Sequence, residues 1–453
     1  MIPGLIACGV VYLICQIYLE DRVALAAGLI FAVSHWHVRL SRYGWDVSFM
    51  IMAFSLAIWL LFIAIRRQCL FFAYLAGVAV GICLYSYIAS RACLFSVVIF
   101  LGWEWAVRRD RWIVKGAGAF AAGVTMTAFP LLVYYLSNPA SFWVRYAELS
   151  IFNAPSFLSL ILDNLWRHLL MLHVQGGTYS RDNFPAIAMM DPITGLLFIA
   201  GLLALVRNRE AWLARFLGTV FLVNLLPGVL SVSQEGAPYV YRTAAVIVPA
   251  FLIAGLGGQC VYRQVTFRLR SRVSRQMIGR AAWLLVVLIV SINLYLYFFL
   301  ESKNVGAMRT MAYEARAIGL EIARDDLPVY LVGQDILDKI ETVARPEEKY
   351  ARFNAPIMLP RLLSGLAIIS FSGRYDLARP LAHNLSQPTN IHFVASPSVE
   401  MKISLPNSAK LIFNSRNQEI IKSAHRQIPG AVIKEIRNIY GEPMLTVVTY
   451  SAK

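Results

Sequence analysis

The sequence predicts a polytopic α-helical membrane protein with about ten transmembrane helices, followed by a small C-terminal α/β domain. Three observations carry that prediction. Of 453 residues, 58% are hydrophobic and only 15% charged, whereas soluble domains have roughly 45–50% and about 25%. Nearly uncharged runs recur at lengths approaching the ~20 residues that cross a bilayer. After about residue 301 the composition turns polar, and short strand-like runs alternate with helical spacing.

The apolar runs fall at about 3–19, 22–35, 47–65, 69–88, 92–107, 116–136, 189–206, 211–231, 241–260 and 281–300. The basic segments "EDR" (20–22), "RRQ" (66–68), "RRDRWIVK" (108–115), "RNRE" (207–210) and "RQVTFRLRSRVSRQMIGR" (263–280) occupy every second connection. The positive-inside rule therefore puts them on the cytoplasmic side. The net charge of +16 is thus explained by topology, and nucleic acid is not expected as a partner. The alternate connections, 34–46, 89–91, 137–188 and 232–240, face outward, as does everything after about 301. By this count Met1 is also outside, although no signal sequence precedes the first run, so an upstream span is expected to be missing. The six cysteines, Cys8, Cys15, Cys69, Cys83, Cys93 and Cys260, lie in or beside apolar runs without metal-ligand spacing. No metal site is expected.

The domain division read from composition is 1–301, a membrane core with an outer loop at about 137–188, and 302–453, a soluble extracytoplasmic domain. In the latter "PVYLVGQ", "NIHFVAS" and "MLTVVTY" read as strands, with a helix in "RNQEIIKSAHRQI". Within the outer loop, "SFLSLILDNLWRHLLMLHV" reads as an amphipathic interfacial helix.

Arginines at outward helix ends run against the positive-inside bias: Arg39, Arg42, Arg91 and Arg242. Each has aromatic company, namely Trp36, Tyr43 and Trp45; Tyr85 and Tyr87; and Tyr239 and Tyr241. The guanidinium fork suits a phosphate, whereas the aromatics also suit the headgroup belt, where Trp36, Tyr43 and Trp45 are expected. The polar cluster Tyr179, Arg181, Asp182 and Asn183 forms a candidate substrate-facing loop, and an ordinary polar loop is the alternative. The outward carboxylates are Asp46, Glu148, Asp163, Asp182, Asp191 and Glu235. None forms a close sequence pair, so none is singled out as a base.

The succession "VALAAGLIFAVSHWHVRLSRYGWD", "AYLAGVAVGICLYSYIASR", "MMDPITGLLFIAGLLALV" and "LPGVLS…GAPYVYRTAAVIVPAFLIAGLG" resembles bacterial membrane glycosyltransferases of the GT-C class. The closest group is glycosyltransferase family 39, which includes protein O-mannosyltransferases and resembles the aminoarabinose transferases. The resemblance implies transfer of a sugar from a polyprenyl-phosphate-linked donor to a protein, lipid or glycan acceptor on the outer face of a bacterial inner or plasma membrane. It also implies that Arg242, Arg42 and Arg91 bind the donor phosphate, and that Tyr239 and Asp46 are candidate substrate-lining residues. Tyr239 stands where relatives often have His. The family's catalytic Asp lies in a loop before the position matching Met1, so no catalytic acid is carried over. A chain without that loop is expected to lack transferase activity by itself. The rival classes are a flippase or transporter of lipid-linked saccharides, and an inactive accessory membrane protein.

Overall fold

In the computed structural model the chain is described at residues 2–42, 46–177, 183, 187–208, 211–232, 236–269, 271–301, 317–318, 321, 327, 329–332, 391–394, 408–415, 418–428, 430–437, 441 and 443–451. It divides into two compact units, Met1–Ala307 and Met308–Lys453.

Each of the ten apolar runs forms a helix in the first unit. In order they are α1 (Ile2–Tyr18), α2 (Asp21–Val33), the short α3 (His35–Arg42), α4 (Asp46–Arg67), α5 (Leu70–Cys83), α6 (Ser90–Arg108) and α7 (Arg111–Ser137). After α8 (Pro139–Leu149) and α9 (Phe157–Leu170) come α10 (Pro192–Arg207), α11 (Trp212–Val229), α12 (Ile247–Leu269) and α13 (Arg275–Tyr295). Among the described residues six helices are long and apolar enough to cross a membrane: α4, α6, α7, α11, and α12 and α13 with their flanking turns. The pair α2–α3, bent by 54°, is a seventh candidate, while α1, α5 and α10 are shorter apolar helices. With 14 residues, α5 rises roughly 21 Å at 1.5 Å per residue, short of a ~30 Å hydrocarbon core.

Two boundaries differ from the sequence reading. The run expected over 69–88 stops at Cys83, where Ser86 Oγ donates to the Cys83 carbonyl and occupies an acceptor that the helix end leaves open. The connection expected at 34–46 is largely helical. Ser34 N–H turns back onto the carbonyls of Ile30 and Phe31, and His35–Arg42 then starts a new helix. Its inward residues include His35, Trp36, Arg39 and Leu40. Trp36 is therefore a core residue, with 0% of its surface exposed, rather than an interfacial one. Its neighbours are too polar for an apolar window to detect, yet they are paired inside the bundle.

Without a hydrophobic force between helices in lipid, close packing depends on small residues. A side-chain carbon at Gly77 would collide with the Phe120 carbonyl, and one at Gly123 with the Tyr74 carbonyl, so α5 and α7 touch backbone to backbone. Gly201 against Ile253 and Gly257 against Leu197 do the same for α10 and α12. A buried ion pair ties α6 to α11: Arg215 Nε and Nη2 reach the Glu104 carboxylate at 2.8 and 2.7 Å. Arg215→Ala strands that carboxylate in an apolar surround with only Arg108 Nε at 3.2 Å, a loss on the order of 3–5 kcal/mol. Thermal unfolding in detergent should show a much lower Tm for Arg215→Ala than for the paired replacement Glu104→Gln/Arg215→Met. Equal Tm values for the two would refute the pair's role.

In the second unit the described strands are β1 (Val329–Val332), β2 (Ile391–Val394), β3 (Ser408–Asn414), β4 (Val432–Arg437) and β5 (Pro443–Ser451), with α14 (Gln418–Gln427) between β3 and β4. They form one sheet in the order β2-β1-β3-β5-β4, parallel from β2 to β3 and antiparallel from β3 to β4. The helical and sheet parts together are the fold class expected. The strands at 408–414 and 432–437 are additions to the sequence reading.

Candidate functional site

The chain from Tyr239 to Thr243 makes a single turn before α12, with Arg242 N–H and Thr243 N–H both donating to the Tyr239 carbonyl. This turn presents Arg242, which is only 5% exposed. Its guanidinium carbon lies 4.4 Å from the Tyr239 ring centroid and 5.8 Å from that of Tyr241. Aromatic faces favour a cation by their quadrupole, but they accept no strong hydrogen bond. Arg242 Nε and Nη1 are buried without a hydrogen-bond partner among the described residues. Buried guanidinium N–H groups are almost always paired, and leaving them unpaired is costly. Their arrangement fits an anion.

The turn is held by α9. His168, fully buried, stands one turn after Asn164 on the inward face of that helix. Its Nδ1–H donates to the Asn164 carbonyl at 2.6 Å, and its Nε2 accepts the Tyr239 N–H at 3.0 Å. Those two bonds define one neutral tautomer. Burial pushes its pKa down to about 4; the Asn164 bond opposes this, and the Arg242 cation adds to it. The Asn164 side chain donates to the carbonyls of Val229 and Ser231. One helix thus grips both ends of the 229–243 connection. The outer face of α9 carries Leu158, Leu162 and Trp166 beside Asp163 and Arg167, all exposed, while the two residues it buries, Asn164 and His168, are polar.

The other sequence candidates divide into three groups. Asn183 is fully buried; its Nδ2 donates to the Ile187 carbonyl, and its Oδ1 is unpaired among the described residues. It packs beside Gly177, where an added side-chain carbon would strike Val240, so it borders the Arg242 turn. Arg91 joins the same neighbourhood indirectly, since Tyr87, just before α6, lies 5.5 Å from Tyr241 ring to ring. Arg91 itself lies over Phe142 at 4.0 Å and over Tyr135 at 5.6 Å.

Arg42 sits in a different cluster. It is exposed and lies 5.5 Å from the Tyr297 ring centroid, at the end of α13. Beside it the fully buried Arg39 lies 2.7 Å from Glu301 as an ion pair, close enough to offset its charge, although its guanidinium nitrogens make no well-aligned hydrogen bond among the described residues. Asp46 is exposed at the start of α4 and accepts the Val47 N–H. Tyr43, Trp45, Tyr179, Arg181, Asp182 and Glu235 lie outside the described residues.

Two further carboxylates have structural roles. Asp191 caps α10 through the N–H groups of Ile193 and Thr194, and it also accepts Thr194 Oγ1 and Asn293 Nδ2. With four bonds and 3% exposure, it is not available as a base. Asn293 Oδ1 in turn accepts from the His35 backbone and faces His35 Nδ1 at 3.1 Å, so His35 fastens α3 to α13. Asp163 is an exposed partner of Arg167. Among the described residues no group of three His, Cys, Asp or Glu side chains is placed to hold a metal ion.

The apolar helices, together with a buried arginine at one end of the bundle, define an integral membrane protein with a candidate anion seat. Residues 1–135 match the family model described as dolichyl-phosphate-mannose-protein mannosyltransferase. That match, over the first 135 of the 453 residues, supports a likeness of this part of the chain to the GT-C glycosyltransferases. No curated protein matches the chain.

Proposed function

We propose that this protein transfers a sugar from a polyprenyl-phosphate donor to an acceptor at the loop-rich face of the membrane, with Arg242 as the principal phosphate contact. The observation that carries the reading is the buried Arg242 guanidinium, whose Nε and Nη1 are unpaired among the described residues and which, unlike Arg39 with its Glu301, has no carboxylate in ion-pair reach among them. In the reaction the bond between sugar C1 and phosphate oxygen breaks, and a bond from the acceptor oxygen to C1 forms. The acceptor proton leaves to a base, and polyprenyl phosphate is released. Negative charge grows on the leaving phosphate, and a fixed guanidinium in a water-poor site stabilises that charge strongly. Arg91, which borders the same neighbourhood, is a secondary cation for the headgroup, Tyr239 and Asn183 line the seat, and Arg42, in the separate cluster beside Tyr297, is left out of it. The C-terminal unit is assigned to the side of the membrane on which the acceptor is met.

Sealed vesicles from cells making the protein, supplied with donor labelled in the sugar, test this reading. Release of polyprenyl phosphate coupled to acceptor labelling, lost in Arg242→Ala vesicles, is the result this reading predicts and would overturn the expectation from the sequence that the chain is inactive by itself. Donor binding that depends on Arg242 without release would bear that expectation out. Movement of intact donor between leaflets without release would instead establish a flippase and overturn the proposal.

A further inference from the structure

Along one side of the bundle α2, α10, α12 and α13 diverge and leave a groove of about 370 Å³. Its walls are apolar, with Ile30, Leu197, Phe251, Val286 and Ile289 among them, while small residues such as Gly258 and Ala282 set its depth. The lining runs from Phe251 to Val265 on α12 and from Ile278 to Ile289 on α13. At 1.5 Å per residue that is roughly 16–21 Å, about the depth of one leaflet of a ~30 Å hydrocarbon core. A trough of that length and apolarity matches one extended hydrocarbon chain.

The two ends of the groove differ. One reaches Thr194, on the fully bonded Asp191 cap. The other reaches Arg22 and Tyr262, where the 263–280 connection carries six further Arg and no acid. Arg22 Nη1 lies 4.0 Å from where a side-chain carbon would stand on Gly279, so that glycine leaves the guanidinium room against the first turns of α13. Nearby, Arg263 is engaged by Glu20 at 2.8 Å. Arg22 has no ion pair or hydrogen bond of its own among the described residues. The unengaged cation at the basic end complements a phosphodiester.

We propose that this groove binds one acyl chain of an anionic glycerophospholipid, with the headgroup phosphate on Arg22. The site is separate from the Arg242 turn, and its occupancy does not depend on the transfer reaction. Trp283 lines the groove and is partly exposed, so it serves as a reporter.

The protein is reconstituted in vesicles of phosphatidylcholine that contain a minor fraction of brominated phosphatidylglycerol or brominated phosphatidylcholine. Quenching assigned to Trp283 is the difference between wild type and Trp283→Phe. One surface cation contributes about a fivefold preference for an anionic lipid, so quenching by the phosphatidylglycerol probe should be about fivefold more effective. Arg22→Gln should bring the two probes to parity. Gly258→Leu provides a second variant, because a side-chain carbon there meets only the edge of Leu197 at 4.0 Å and so fills the groove without wedging the helices. It should remove most Trp283 quenching at an unchanged Tm. Equal quenching by both probes in wild type, or undiminished quenching in Gly258→Leu, would overturn the proposal.

Discussion

Replacing Arg242 with methionine should raise the thermal stability of the ligand-free protein while reducing donor affinity by about 10²–10³-fold. The two effects have one cause. The guanidinium is buried with Nε and Nη1 unpaired among the described residues, so an apolar side chain of similar length removes a desolvation penalty. In the donor complex the same groups meet a phosphate, and truncating one partner of such a buried, hydrogen-bonded charge pair costs about 2–5 kcal/mol of binding. Arg242→Lys should recover only part of the affinity, because a point charge lacks the planar fork. A merely structural arginine would lose stability on replacement and leave donor affinity intact. Thermal unfolding beside a donor titration separates the cases, and a lower Tm with unchanged affinity would refute the assignment.

The second large effect is expected at His168. His168→Ala removes the acceptor for the Tyr239 N–H and the donor to the Asn164 carbonyl. Leaving the buried Tyr239 N–H unpaired costs about 1–3 kcal/mol. Because the histidine touches the turn and not the donor, the change should appear chiefly as a higher donor KM. His168→Gln, whose amide offers both an acceptor and a donor, should restore part of it.

The same ring gives a pH dependence. With a folded pKa of about 4 against an ordinary value of 6.5, His168 is neutral in the folded protein throughout the physiological range. Between pH 6.5 and 4 the unfolded chain binds the proton and the folded one does not, so stability falls as pH drops through that window. The full effect is on the order of 3 kcal/mol. Wild type should lose Tm steadily from pH 6.5 toward 4, and His168→Gln should lose less. An identical slope in both would contradict the buried neutral tautomer.

Much of the fold was legible because the bilayer imposes coarse rules on composition. All ten apolar runs are helices, and the amphipathic segment over α9 is a helix as read. The departures have local causes. His35–Arg42 hides a helix because its histidines and arginines raise the polarity of any window, although the structure pairs His35 with Asn293 and Arg39 with Glu301. The strand Val432–Arg437 alternates charge and apolarity and keeps most of its surface accessible, so it lacks the dense apolar signal of β5.

The site was partly legible. Arg242 was singled out as a cation at a helix end, beside aromatics, in a stretch resembling a known family. His168 was not, because its partner is a backbone N–H 71 residues away, and a hydrogen bond to backbone leaves no residue type to recognise. Asn164 and His168 stand one turn apart in α9, and only the packing shows that this pair turns inward while Leu158, Leu162 and Trp166 stay exposed. Arg39 and Glu301 are 262 positions apart, and only the packing of α3 against the end of α13 brings them together.

The most direct test of the account is a map of where the donor phosphate rests. A polyprenyl-phosphate sugar carrying a photoreactive group beside the phosphate is bound to the protein in native membranes, irradiated, and the labelled peptides are identified. The account predicts labelling on the 236–243 segment around Arg242, reduced to background in Arg242→Met. Labelling confined to the α3 cluster of Arg39 and Arg42, with the 236–243 segment unmarked, would contradict it.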